Sequence, residues 1–385
     1  MSDGQAVAIV SLQIDVLIII HMIINDLTSC IETFAPLSLQ ENYDNAGLLI
    51  GHPDKEVHRA LICIDITETI IEEAISRECD IIISHHPLIF RGITKLTWGN
   101  AVERIVEQCI QKGIAIYAAH TNLDNTASGV NAIFSQKIGL KNCRVLKPAS
   151  GLLRKLVTFC PLDHAENIRQ ALFNAGAGHI GNYDNCSFNT SGSGSFRALE
   201  NANPYVGFVN ELHFENEVRI ETVFPSYCQA SVVRALLASH PYEEVAYDIY
   251  RIENNFQGAG SGMIGELSEP ENEYDFLSRV KKILGGSTIR HTAISGKQIK
   301  SVALCGGSGS FLLKDAISAG ADVFLTGDIK YHDFFMAEDQ ILIADIGHYE
   351  SEQFTKELLF TLLTEKFPNF AVLISKTLTN PIIYL

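Results

Sequence analysis

The chain carries no Lys or Arg before Lys55, and across its 385 residues 29 basic side chains stand against 45 acidic ones. The formal net charge of −16 gives the long-range field the wrong sign for phosphate-backbone recognition, so nucleic acid is not expected as a partner. Paired cysteines are missing as well. Cys30, Cys63, Cys79, Cys109, Cys143, Cys160, Cys186, Cys228 and Cys305 are scattered, odd in number and never spaced C-x-x-C. That pattern excludes a disulfide framework and a zinc knuckle, and it fits a reducing cytoplasm.

Several nucleotide and nucleophile motifs are absent too. GGSGS (306–310) lies between a strand pattern and a helix pattern but lacks the Gly-Lys-Ser/Thr of a P-loop. It reads as a tight turn first and a phosphate contact second. GSGMIG (260–265) matches G-x-G-x-x-G without a β-α-β unit around it, which argues against a nicotinamide site. No G-x-S-x-G elbow or Ser-His-Asp motif occurs. Residues 6–24 are apolar, but the basic n-region of a signal peptide is missing, and Gln13 and Asp15 interrupt a run already short for a membrane span. Residues 1–21 are therefore read as a leader of separate status, with the domain proper starting near Met22 and no membrane partner.

What is present is a globular composition, 46% hydrophobic and 19% charged, at a length that suggests two or three domains. An internal repeat organises it. Segment 60–90, ALICIDITETIIEEAISRECDIIISHHPLIF, has the order apolar run, helical pattern, apolar run, and so does segment 302–334. A shift of 242 positions carries Cys63 onto Cys305, Ala74 onto Ala316, Ile75 onto Ile317, Ser76 onto Ser318 and Asp80 onto Asp322. Each copy predicts a β-α-β unit with parallel strands, hence an α/β fold built of two halves. A further strand then ends in a polar cluster in each half, GIAIYAAHTNLD (113–124) and ILIADIGHYESE (341–352), where a shift of 228 sets His120 against His348 and Asp124 against Glu352. Open α/β sheets bind ligands at that strand edge. Between the halves, roughly 152–256, two strand-helix-strand patterns predict a ferredoxin-like α+β insert, with SGSGS (191–195) and NANP (201–204) expected as connectors.

The chemistry-bearing residues sit at those ends. SHHP (84–87) puts His85 and His86 where a buried strand stops, and Pro87 cannot continue the ladder. Alone this reads equally as a polar strand end or as a pair of metal-binding imidazoles; adjacent histidines on a strand reach two different ions only where the backbone turns. His348 and Glu352, spaced i, i+4, share a helix face, an arrangement that is also common on solvated helices. Asp124 adds a hard oxygen donor. His120 reads either as a ligand or as a partner that orients one. Asp328 and His332 in TGDIKYHD could line the site or hydrogen-bond the ligands, and Asp44 and Asn45 in NYDNAG read either as a loop motif or as supports for the ligands. No cluster decides alone; their convergence at equivalent points of the repeat does.

Taken together, SHHPLIF, AHTNLD, FLTGDIKYHD and GHYESE resemble the Nif-three-like (NGG-one-interacting-factor-three-like) family, whose bacterial members are called GTP cyclohydrolase I type 2 homologues. The resemblance covers about 22–385. It implies a core N-terminal half (22–151), an inserted PII/CutA-like domain (152–256) and a core C-terminal half (257–385). It also implies two divalent metal ions per subunit, of zinc, iron, manganese or nickel type, held by His85, His86, Asp124, His348 and Glu352. A ring-shaped homohexamer is the expected assembly. Two metals sharing a carboxylate suit hydrolysis of a small-molecule substrate, with His120 or His332 moving protons. The competing expectation is a non-catalytic, metal-binding regulatory oligomer whose insert senses an effector.

Overall fold

A computed structural model describes residues 21–285 and 288–384. The expected leader, His21 apart, lies outside the described residues. The chain begins with α1 (Ile24–Phe34), β1 (Gly47–Ile50), β2 (Arg59–Cys63), α2 (Glu68–Ser76) and β3 (Ile81–Ser84). It continues through α3 (Ala101–Lys112), β4 (Ala115–Ala118), α4 (Thr121–Asp124), α5 (Val130–Lys137) and β5 (Lys141–Ala149). A middle stretch holds β6 (Leu153–Pro161), α6 (Ala165–Asn174), β7 (Phe188–Arg197), β8 (Leu212–Pro225), α7 (Gln229–Ser239) and β9 (Tyr247–Arg251). Next come β10 (Phe256–Asn272), α8 (Glu273–Ile283), β11 (Arg290–His291), β12 (Gln298–Ser308), α9 (Leu313–Ser318) and β13 (Val323–Gly327). The chain closes with β14 (Leu342–Asp345), α10 (His348–Glu352), α11 (Thr355–Lys366) and β15 (Ala371–Ile374).

Three sheets result. The first has the order β1-β4-β3-β2-β15, parallel except at β1. Its central strands IIIS and AIYA are buried at every residue, as a parallel sheet covered on both faces requires. One face packs on α1 and α11 through Ile24, Leu27, Leu359 and Leu363, the other on α2 and α3 through Ile70, Ala74, Ile105 and Val106. The second sheet, β11-β14-β13-β12-β10-β5, is parallel across β12, β13 and β14. It is covered by α5 and α8 on one face and by α9 on the other.

The two β-α-β units make the same hydrogen bonds. Asp80 Oδ2 accepts from the backbone of His58 and Arg59 at 2.7 and 3.1 Å, and Asp322 Oδ2 accepts from Lys300 and Ser301 at 2.8 and 2.8 Å. The sheets nevertheless do not follow the sequence halves. β5 leaves the first half to pair with β10, and β15 crosses back to lie beside β2.

The third sheet, order β7-β8-β6-β9, is antiparallel, and it arises from the β-α-β-β-α-β sequence of the middle stretch. Here one expectation is corrected. SGSGS lies inside β7, registered residue by residue with β8, rather than in a connector. Backbone groups alone make a ladder, and β7 is an edge strand on which small residues leave the neighbouring side chains of β8 room.

Candidate metal centre

Strand ends create the site. After β3 the backbone of His85 and His86 still donates to the carbonyls of Cys63 and Ile64, at 3.2 and 2.9 Å, so the chain runs one step past the strand before Pro87. Ser84 Oγ donates to the His86 carbonyl at 2.8 Å and closes the turn that brings both rings to one side, their centroids 5.0 Å apart. From the second sheet, Gly347 leads from β14 into α10, whose first residue is His348 and whose fifth is Glu352. The i, i+4 spacing sets His348 Nε2 3.2 Å from Glu352 Oε2. Gly307, at φ +61°, passes so close that a Cβ there would sit 2.3 Å from Glu352 Oε1; only glycine allows this approach.

Each imidazole is held by its Nδ1. His85 Nδ1 lies 2.7 Å from the Ala119 carbonyl, His86 Nδ1 2.7 Å from Asp65, His120 Nδ1 2.7 Å from Asp44, and His348 Nδ1 2.7 Å from Asp328. An acceptor at Nδ1 fixes the proton there and leaves Nε2 as a free lone pair. For three of the rings those lone pairs meet around one carboxylate. Glu352 Oε1 lies 3.6 Å from His85 Nε2, and Oε2 lies 3.0 Å from His86 Nε2. Asp124 Oδ1 is 3.6 Å from His85 Nε2, and the Nε2 atoms of His86 and His348 face each other at 3.3 Å.

This geometry leaves polar atoms stranded. His85 Nε2, Asp124 Oδ1 and Glu352 Oε2 are buried without a hydrogen-bond partner among the described residues. A buried polar atom without a partner is costly, and three of them converging on one point suit a cation. His85, His86 and Glu352 place ligand atoms within 4.8 Å of one another and could hold a metal ion. The carboxylates favour positive charge at this point, and a proton on Nε2 or a metal ion are alternative ways of supplying it. Burial opposes charge on His86 and His348, but Asp65, Asp328 and Glu352 outweigh it and hold the two imidazoles up at about 10 and about 9. Burial opposes charge on Glu352 also, yet the surrounding imidazoles keep its carboxyl well below the ordinary range. Burial pushes the Asp124 carboxyl up, and the charge of Glu352 acts in the same direction.

Asp124, at the end of α4, thus joins the cluster, and the His120 ring stands 5.4 Å from the rings of both His85 and His86. Asp44 and Asp328 prove to hold imidazoles. His332 does not reach the cluster; its ring is exposed and contacts Tyr331 and Phe335. Asp65 was missed by sequence reasoning. Its signal was a carboxylate just past the buried strand ALIC. Asp65 in turn accepts from Thr379 Oγ1 at 2.8 Å, so the segment after β15 reaches back to the site. Beside the cluster lies a cavity of about 350 Å³ lined by Glu41, Tyr43, His120, Asp124, Phe311 and His348 among others.

Comparison with known proteins agrees with the sequence resemblance. A family model described as Duf34/NIF3 (NGG1p interacting factor 3) matches residues 22–381. The "GTP cyclohydrolase 1 type 2 homolog" of Bacillus subtilis is 38% identical over 363 residues, covering 92% of this chain and 96% of the relative. A protein of the same name from Halalkalibacterium halodurans is 40% identical over 361 residues, at 92% and 96% coverage. Among solved structures, a Bacillus cereus protein related to NIF3 superposes with a TM-score of 0.84 at 37% identity, over 94% of this chain and 99% of that one.

Proposed function

The chain belongs to the Duf34/NIF3 family, and on that premise we propose that it is a metal-dependent hydrolase holding two divalent ions in one shared site. One observation carries the reading: imidazoles locked through Nδ1 direct their Nε2 lone pairs toward a buried carboxylate, with three polar atoms there lacking partners. Glu352 divides the donors. Oε1 is on the side of His85 and Asp124, Oε2 on the side of His86 and His348, which supports a bridging role for this carboxylate. When bound, two such ions supply an activated water and stabilise charge on the group under attack.

The chain's own residues do the rest. His120, oriented by Asp44, stands beside the cluster and is the imidazole we assign to proton transfer, in place of the more remote His332. Tyr43 and Phe311 give the adjacent cavity walls against which a substrate packs. The relatives' name makes GTP the first substrate to try. Elemental analysis after reconstitution should give about two ions per chain. A value near one, unchanged in His85→Ala, would refute the shared site, and absence of turnover in the loaded protein across nucleotides, cyclic amides and phosphoesters would leave the non-catalytic alternative.

The remaining assignments are part of the same proposal. The matching bonds of Asp80 and Asp322 support a duplicated core, and the β-α-β-β-α-β order supports a PII/CutA-like insert. Exposed Phe90, Ile93, Leu96 and Trp98 lie along one loop and support burial against other subunits of a homohexamer. All nine cysteines are free, in keeping with the cytoplasm. Among the described residues no helix is long and apolar enough to cross a membrane.

A further inference from the structure

The middle sheet has two unlike faces. Helices α6 and α7 cover one through Ile168, Leu172, Val232 and Leu236 packed on Val218, Ile220 and Phe224. Side chains on adjacent strands share a face when directly paired. Phe159 and Thr190 both pair with Arg219, and Gly192 pairs with Glu217, so these residues occupy the face away from the helices. The loops 198–205 and 242–246 border this second face and leave a cavity of about 700 Å³. That volume lies within the range of small-molecule sites.

The lining has a definite chemistry. Phe196, Tyr242 and Tyr205 form a row with ring centroids 6.4 and 6.2 Å apart, and Phe159 adds a fourth ring. Next to Phe196 on the same strand, β7 offers bare backbone at Gly192 and Gly194. A Cβ placed on Gly192 would meet nothing within 4 Å and would project into free space. Tyr242 Oη donates to Glu217 Oε1 at 2.8 Å and steadies this carboxylate, while Gly194 leaves the space that Glu217 Oε2 occupies. Arg219 is paired with Glu221 at 2.9 Å. Glu243 and Glu244 add to the acidic side of the lining, with Arg197 as the opposing cation.

We propose that this cavity binds a planar, amino-substituted heterocycle without phosphate groups, its ring set against the aromatic row and its N–H groups donating to Glu217. Aromatic walls favour a flat ring, and the glycine strand accepts one edge of it without steric conflict. The acidic excess favours a donor or cation over an anion. This site is separate from the metal centre and stands independently of the hydrolase reading.

The test uses the full-length, metal-loaded protein and 2-aminopurine, whose fluorescence falls when it stacks. Saturable quenching is expected, with unsubstituted purine competing more weakly. Gly192→Leu, a substitution that extended backbone accepts, should weaken binding by about 10-fold or more while leaving metal content unchanged. Glu217→Gln should remove the preference for 2-aminopurine over purine. Tyr205→Ala, on an exposed loop, gives a second variant should Gly192→Leu misfold, and its affinity should fall about 5-fold. No saturable quenching up to about 1 mM overturns the proposal. So does quenching that folded Gly192→Leu or Tyr205→Ala leaves intact, or that benzoate abolishes more readily than purine does.

Discussion

Removing the carboxylate behind a ligand should weaken the metal without removing any donor, and Asp65 is the place to do it. Its Oδ1 holds His86 Nδ1 at 2.7 Å and its Oδ2 accepts from Thr379 at 2.8 Å. In Asp65→Ala the His86 ring keeps its Nε2 but loses the contact that fixes tautomer and orientation. Losing such an outer contact costs about 10–100-fold in metal affinity, or about 1.4–2.8 kcal/mol. Asp65→Asn keeps an acceptor oxygen without the charge and should fall near the lower end. Thr379→Ala leaves the carboxylate in place and should cost less again, so the order Ala, Asn, Thr379→Ala tracks the strength of the hold on His86. Chelator competition with zinc, monitored by a chromophoric indicator, measures the weaker ion's affinity, and circular dichroism checks folding. A folded Asp65→Ala protein that binds both ions as tightly as the wild type would refute the account of how His86 is positioned.

Three other outcomes are expected. Glu73 accepts from Ser375, Thr377, the Lys376 backbone and Arg77, and these contacts overcome its burial and hold its carboxyl down at about 2. Its contribution, at most about 3 kcal/mol, is therefore complete above the ordinary value near 4.5 and fades as pH falls toward 2; urea titrations of wild type and Glu73→Gln should differ at pH 7 and converge through that acid range. Because Ala149 on β5 pairs with Phe256 on β10, replacing 152–255 by a short turn should close a hairpin and leave a folded protein that still binds metal, as elemental analysis would show. His348→Ala should empty one metal position, whereas His120→Ala should keep both ions at saturating metal and lower turnover; equal metal loss in the two would show that the repeat's symmetry, not the family pattern, assigns the ligands.

The candidate ligands stood out in the sequence because a polar residue at the end of an apolar strand run has few explanations. DIIIS followed by two histidines, and ILIADI followed by His348 and Glu352, could be placed on sheet edges from periodicity alone. What positions the ligands was less legible. His85 is fixed by the carbonyl of Ala119, which any residue type could supply, and His86 by an aspartate indistinguishable in sequence from a turn residue. The strand exchange was hidden for a related reason. Periodicity tells which side chains leave water, and β5 and β15 carry ordinary burial patterns that say nothing of which backbone they meet. SGSGS failed in the opposite way: composition favours a turn, while the ladder with β8 needs only its peptide groups.

His332 shows the same limit at the scale of one motif. In TGDIKYHD the aspartate and the histidine are four residues apart, and both stood as candidates for the site. The structure gives Asp328 a φ of 54° directly after β13, an uncommon conformation that aspartate tolerates better than most residues. From that point Asp328 reaches His348, while the chain turns away through Ile329, buried in one cluster with Phe324 and Ile343, to an exposed His332 beside Tyr331 and Phe335. Sequence spacing measured the distance along the chain, but the left-handed turn at Asp328 separates a carboxylate that holds His348 from a histidine that stays clear of the cluster.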